Sequence, residues 1–132
     1  MGSGWIGVDL DGTLAKYYGW QGAHHIGPPI PKMMERVRGW IDRGIEVRIM
    51  TARAAPGPGS VDEALKVISA WLVQHLGHTL PITYEKDHAL MELWDDRAVQ
   101  VEPNTGVALQ EVLSRALAER DLWKTRAHDR ES

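Results

Sequence analysis

The chain has 132 residues and a net charge of −3, a size that fits one domain built around a single core. Hydrophobic residues make up 43% and charged residues 25%, which excludes a largely disordered chain, and the mild acidity argues against a general nucleic-acid-binding surface. The sequence has no cysteine, which excludes disulfides, thiolate metal ligands and a cysteine nucleophile.

The N-terminal segment predicts a strand followed by a long loop. The apolar run 5–8 precedes Asp9-Leu10-Asp11-Gly12-Thr13 and is typical of a buried strand that ends in a turn. The next stretch, 14–31, is too rich in glycine and proline for a regular element, and we expect 15–31 to form a flap-like loop. Two acids therefore follow directly on the first predicted strand.

A helix and a second strand are predicted next. Apolar residues recur at helical spacing over 33–41, between Pro31 and Gly44, residues that are favoured near the start and just past the end of a helix. Apolar and polar residues then alternate over 45–49, which predicts a strand that leads to Thr51.

The following segment repeats the order of loop, helix and strand. A loop over 54–60 precedes a helix that Ser60 and Glu63 would open as a capping box and that Gly77 would close. Three short strands are expected after this helix, at 81–84, at 93–94 before Asp95-Asp96, and at 98–101.

The C-terminal part predicts a helix over 109–123 and a polar tail over 126–132. Strands that alternate with helices predict a parallel sheet. We therefore expect one three-layer, Rossmann-like α/β domain over 1–132, with helices on the faces of the sheet. The acids after the first and fourth strands would then meet at one edge of the sheet.

Two carboxylates two residues apart need a cation or a proton to relieve their repulsion. An EF-hand calcium loop also begins with Asp-x-Asp, but it needs glycine at its sixth position and glutamate at its twelfth, where this chain has Leu14 and Trp20. The pair therefore indicates a hard metal ion, separate acid and nucleophile roles, or both.

The order of these residues resembles the four motifs of the haloacid dehalogenase (HAD) superfamily. The segment from Asp9 to Thr13 follows one strand, Thr51 follows another, and Lys86 and the pair Asp95-Asp96 come later. The resemblance covers roughly 5–106, and the first motif is the most specific. It implies a HAD-like fold without a cap domain, similar to small bacterial and phage members, since no interval between the motifs is long enough for a cap.

The resemblance also implies catalytic roles. Asp9 would be the nucleophile that forms an aspartyl-phosphate, and Asp11 would be the general acid and base, which family members that displace halide lack. Thr51 and Lys86 would complete the catalytic set. Lys86 lies closer in sequence to Asp95 than its counterpart does in many relatives, and a surface lysine is the alternative.

A magnesium ion is the cofactor that the resemblance implies. Its ligands would be the side chains of Asp9 and Asp95 and the carbonyl of Asp11, and Asp96 would hold one of its waters. The substrate phosphate would lie among four residues, Gly12, Thr13, Thr51 and Arg53. Solvent is the alternative environment for the Arg53 side chain.

The flap-like loop would be the only local cover of an open site, and it supplies Tyr17, Trp20, His24 and His25 as candidate substrate contacts. Adjacent histidines in a loop rarely converge on one ion, so we expect solvated histidines rather than metal ligands. Three other tryptophans have positions that predict core packing, namely Trp5, Trp40 and Trp71.

These features predict a Mg²⁺-dependent phosphomonoester hydrolase acting on a phosphorylated substrate of undetermined identity. The alternatives are phosphoryl transfer to another acceptor, a nucleic-acid end phosphatase, or a non-catalytic phosphate-binding or interaction module. No apolar run approaches the roughly 18 residues of a membrane span. The start, Met1 to Gly4, lacks the pattern of a signal peptide, so we expect a cytoplasmic protein without a membrane partner. Nucleic acid would enter only as substrate, and the oligomeric state is open.

Overall fold

The computed structural model describes the backbone of residues 4–131 and the side chains of residues 4–122. The chain forms two compact units, Met1–Asp96 and Arg97–Ser132. The predictions for the first three residues and for Ser132 lie outside the described part. None of the helices in that part combines the length and the apolar character that a membrane crossing requires.

The first unit is built on a four-stranded, all-parallel sheet. In chain order its strands are β1 (Trp5–Val8), β2 (Glu46–Met50), β3 (Ile82–Thr83) and β4 (Leu90–Trp94). Their order across the sheet is β3-β2-β1-β4. Val8 lies opposite both Ile49 and Trp94, so β1, β2 and β4 end almost level with one another.

Two helices, α1 (Pro31–Asp42) and α2 (Val61–Leu76), pack on the same face of this sheet. They share one apolar core with alternate residues of the two central strands, Ile6, Val8, Val47 and Ile49. Arg38 of α1 donates a hydrogen bond of 2.6 Å to the carbonyl of His75 in α2, which shows that the two helices are neighbours.

The predicted ends of these helices are confirmed. Pro31 opens α1, and Gly44 follows its last turn with a φ of 78°. The Ser60 hydroxyl accepts a hydrogen bond from the Glu63 amide at the start of α2, and Gly77 ends that helix in the left-handed conformation.

The predicted α/β fold with a parallel sheet is confirmed, and no cap domain interrupts residues 4–131. A helical layer on the second face of the sheet stays a prediction, because the remaining long helix, α3 (Leu109–Glu131), belongs to the second unit. The single domain over 1–132 likewise stays a prediction.

The strand predicted at 98–101 is wrong. Of these residues only Val101 pairs, in an isolated bridge with Ala108. The amide of Glu102 donates to Val107 and the amide of Leu109 to Gln100, so this segment turns back on itself and its hydrogen bonds are local. The backbone of the predicted polar tail continues α3 as far as Glu131.

Candidate functional site

Three carboxylates meet at the carboxyl edge of the sheet. Asp9 follows β1 and Asp95 follows β4, and the Asp9 amide donates to the Trp94 carbonyl at 2.9 Å. This bond extends the pairing of the two strands as far as the acids. Asp9, Asp95 and Asp96 each offer a carboxylate oxygen, and these oxygens lie within 4.8 Å of one another. The prediction that these acids converge is confirmed.

The surroundings of Asp9 disfavour a negative charge on its carboxyl group. Burial, followed by the negative charge of Asp95, raises the pKa of Asp9 from 3.8 to about 7, while the backbone N–H of Leu10 opposes this effect and Asp96 adds to it. A cation among the carboxylates would remove the repulsion. Because the metal-binding atoms that the three aspartates offer are all oxygens, the cluster fits a hard ion such as Mg²⁺.

Asp96 is interlocked with the turn after β1. Its amide donates to the hydroxyl oxygen of Thr13 at 3.0 Å, and the Thr13 hydroxyl donates to the Asp96 carboxylate at 3.3 Å. Gly12 has a φ of 90°, and a Cβ there would lie only 2.8 Å from Cγ of Asp96. Glycine is therefore required for the close approach of Asp96. The sequence analysis assigned Gly12 and Thr13 to the substrate phosphate and did not predict this interlock.

Asp11 lies outside the cluster of three and pairs with Arg53. The guanidinium donates two hydrogen bonds to the two carboxylate oxygens, at 2.7 and 2.9 Å. Such bidentate pairs fix the orientation of both groups. Sequence reasoning left Arg53 between a substrate contact and solvent, whereas its side chain is only 8% exposed. The predicted contribution of the Asp11 carbonyl to a metal site stays a prediction.

Arg53 also holds the flap-like loop. It donates to the carbonyl oxygens of Ala23 at 3.3 Å and His25 at 2.8 Å, and its guanidinium carbon lies 4.9 Å from the centre of the Trp20 ring. One side chain therefore links the general acid proposed from the sequence, Asp11, to the tip of the loop. The only sequence signal for this role was the position of Arg53 two residues after Thr51.

The base of the same loop is closed by backbone contacts. The amide of Lys16 donates to the Pro28 carbonyl at 2.9 Å. The buried Gly27 leaves no room for a side chain, because a Cβ would lie 3.0 Å from the carbonyl carbon of Lys16. The indole N–H of Trp71 donates to the Gly27 carbonyl at 2.9 Å and ties the loop to α2.

The two other predicted catalytic residues have different environments. Thr51 follows β2 and is 3% exposed, and its hydroxyl oxygen accepts the Arg53 amide at 3.2 Å. Lys86 is exposed in the connection between β3 and β4. The catalytic roles of both residues stay predictions.

The tryptophans predicted to pack in the core and the two histidines of the loop differ in exposure. Trp5, Trp40 and Trp71 are buried as predicted, whereas Trp20 is 62% exposed. In the described part of the chain, the acidic cluster that could hold a metal contains no histidine, and both His24 and His25 are exposed.

No protein-family model matches the chain, and no curated protein matches it. Among solved structures, the chain is similar to a conserved protein coded by a locus of Bacteroides thetaiotaomicron, with 19% identity over 87% of this chain and 89% of that chain and a TM-score of 0.47. Similarity at this level says nothing about function.

The sheet and the site together define the chain as an α/β protein with a four-stranded parallel sheet, whose carboxyl edge carries three aspartates that could hold a metal ion.

Proposed function

We propose that this chain is a Mg²⁺-dependent phosphomonoester hydrolase that works through an aspartyl-phosphate on Asp9, as its resemblance to HAD phosphatases implies. One observation carries the proposal. Asp9, Asp95 and Asp96 converge at the carboxyl edge of the sheet, and Asp11 is held apart from them by Arg53. This separation allows one carboxylate to act as nucleophile while another transfers the proton.

The cluster of three carboxylates is the proposed Mg²⁺ site. Mg²⁺ keeps several of its waters, so two carboxylates and a backbone carbonyl are enough protein ligands. When bound, the ion would supply positive charge that offsets the acids and the substrate phosphate. The raised pKa of Asp9 supports this proposal, because burial and then the neighbouring acids disfavour the ionised form that a nucleophile needs, and a bound cation would favour it.

Asp9 and Asp11 divide the proposed reaction between them. A carboxylate oxygen of Asp9 attacks phosphorus, and the bond from phosphorus to the ester oxygen breaks. Asp11 must enter this step protonated, with one oxygen released from its two hydrogen bonds to Arg53, and it donates that proton to the departing oxygen. In the second step Asp11 takes a proton from water while that water attacks the phosphorus of the aspartyl-phosphate. Phosphate leaves and Asp9 is regenerated.

Arg53, Thr51 and Lys86 have supporting roles in this proposal. Arg53 orients Asp11 through both carboxylate oxygens. The Thr51 hydroxyl oxygen already accepts a backbone N–H, so its own proton can be donated to a phosphoryl oxygen. Lys86 would balance the charge of the phosphate from the connection between β3 and β4.

The test is release of phosphate from p-nitrophenyl phosphate in Mg²⁺ and in EDTA. We expect Asp9→Asn and Asp11→Asn to lose at least about 100-fold in rate. Asp42→Asn is the matched control, because it removes an exposed acid at the end of α1 and should keep full activity. Full activity of Asp9→Asn would refute the assignment of the nucleophile.

A substrate panel separates the remaining candidate functions. Nucleotides, sugar phosphates and 3′- or 5′-phosphorylated oligonucleotides are compared under the same conditions. Mg²⁺ binding without turnover of any member would overturn the hydrolase in favour of a phosphate-binding module. A strong preference for oligonucleotides would identify a nucleic-acid end phosphatase.

A further inference from the structure

A cavity of about 550 Å³ opens beside the proposed active site, within the first unit. One wall is the tip of the flap-like loop, with Trp20 and His24, and the other runs from Ala52 through the glycine- and proline-rich segment 55–59 to the first turn of α2. This volume is typical of small-molecule sites. None of the catalytic and metal-binding residues predicted from the sequence lines it, whereas Arg53, which was predicted to contact the substrate phosphate, does.

We propose that this cavity binds the organic group of the phosphomonoester substrate, and that this group is a small, flat aromatic ring system. The proposal rests on the hydrolase function proposed above, because it assigns the part of the substrate that the acids do not touch. It excludes a polymer as the preferred substrate.

Arg53 and Ala52 connect the cavity to the catalytic residues. Arg53 lines the cavity and also a smaller hollow of about 230 Å³ that contains Asp11. Ala52 lines the cavity and is the residue next to Thr51, the proposed phosphate contact. A phosphate bound at Thr51 would therefore have its ester oxygen near Asp11 and its organic group at the mouth of the cavity.

The chemistry of the walls favours an aromatic ring. Trp20 is 62% exposed, which is unusual for so large an apolar side chain, yet its loop is anchored through Ala23 and His25 to Arg53. An exposed indole at a fixed place is a platform for stacking. The facing segment consists of alanine, proline and glycine, which leave a shallow apolar surface without donors or acceptors in their side chains.

The charges at the cavity disfavour a second phosphate. Glu63 lines the cavity in the first turn of α2, and Asp62 lies next to it in the same turn. Lys66 lies 3.9 Å from the Glu63 carboxylate but does not line the cavity, so the acidic residues remain in excess there. These carboxylates offset the positive end of the helix, which would otherwise attract anions. Arg53 supplies a positive charge in the cavity wall, and its guanidinium is paired with the Asp11 carboxylate. The substrate is therefore a monophosphate rather than a nucleic-acid strand.

A binding experiment tests the cavity without requiring turnover. The dissociation constants of phenylphosphonate and methylphosphonate, which are not hydrolysed, are measured by calorimetry in Mg²⁺. We expect phenylphosphonate to bind at least about 10-fold more tightly to the wild type. Trp20→Ala should weaken phenylphosphonate by about 5-fold to 100-fold and leave methylphosphonate unchanged, whereas Trp20→Phe should keep the preference.

Tyr84→Ala is the matched control, because it removes an exposed aromatic side chain that does not line the cavity. Equal affinity of the two phosphonates, no binding of phenylphosphonate, or a preference that survives Trp20→Ala would each overturn the proposal. KM is then measured for phenyl phosphate, which carries an aryl group, and for adenosine 5′-monophosphate, which carries a nucleobase. Glycerol 2-phosphate, which has no aromatic group, is the reference, and the ester with the lower KM identifies the preferred ring system.

The two proposals can fail separately in these experiments. Phenylphosphonate binding that depends on Trp20, without turnover of any phosphate ester, would keep the aromatic cavity and overturn the hydrolase. Turnover with KM values that do not respond to Trp20→Ala would keep the hydrolase and overturn the cavity.

Discussion

Replacement of Asp9 by asparagine tests the electrostatics of the acidic cluster in a single variant. The change keeps the size of the side chain and removes one of three converging negative charges. We expect Asp9→Asn to be more stable than the wild type at pH 8 in EDTA, and to lose the stabilisation that Mg²⁺ gives the wild type.

The magnitude follows from the raised pKa. A rise from 3.8 to about 7 corresponds to at most about 4 kcal/mol, at about 1.4 kcal/mol for each tenfold change in acidity. Burial of the charge is the larger cause of this rise, and repulsion by Asp95 and Asp96 adds to it. Asp9 is only partly buried, so water reduces both effects, and we expect a gain of about 1 to 2 kcal/mol in the free energy of unfolding. Mg²⁺ at ten times its dissociation constant would stabilise the wild type by about 1.4 kcal/mol.

The pH dependence has a defined sign. The pKa of Asp9 is higher in the folded than in the unfolded chain, so its proton favours the folded state. This contribution is complete below about pH 4 and is lost as the pH rises through about 7. The advantage of Asp9→Asn should therefore grow from about pH 4.5 to about pH 7 and stay constant above that.

Urea unfolding between pH 4.5 and 8, with EDTA and with Mg²⁺, measures these differences, and Asp42→Asn serves as the control. An Asp9→Asn protein that is less stable than the wild type at pH 8 in EDTA would refute the assigned cost of burying the Asp9 charge beside two other acids. Undiminished stabilisation of this variant by Mg²⁺ would refute Asp9 as a ligand.

Three further predictions concern the turn after β1 and the loop. Gly12→Ala adds a Cβ at a φ of 90° and close to Asp96, so the free energy of unfolding should fall by about 1 to 3 kcal/mol and Mg²⁺ should bind more weakly. Unchanged Mg²⁺ affinity would contradict the interlock of Asp96 with this turn. Trp71→Phe loses the bond to Gly27 at a cost of about 1 kcal/mol, and proteolysis within the loop should be faster than in the wild type. Arg53→Met keeps the apolar stem but loses the bonds to the loop, so proteolysis should again accelerate and kcat/KM should fall; a protease-resistant loop would contradict its anchoring.

Most helices and strands of the first unit could be predicted because their signals are local, although β4 begins at Leu90, three residues before the predicted start. Helical spacing of apolar residues defined α1, and Ser60 and Gly77 marked the ends of α2. The segment 98–101 shows the limit of such signals. Its apolar residues suit a strand, but strand formation needs a partner, and the local turn satisfies the hydrogen bonds there instead.

The positions of the acids after two strands could be read from the amino-acid sequence, and parallel pairing of those strands then brings Asp9 and Asp95 together. The contacts between distant segments could not be read in this way and are defined by the folded chain. Thr13 and Asp96 are 83 positions apart, and Asp11 and Arg53 are 42 apart. Such contacts depend on the path that the backbone takes after each strand and on which side chains pack into the space between the loops. Neither property is encoded by residues next to one another in the chain, so the interlock of Asp96, the anchoring of the loop by Arg53 and the cavity beside it became visible only in three dimensions.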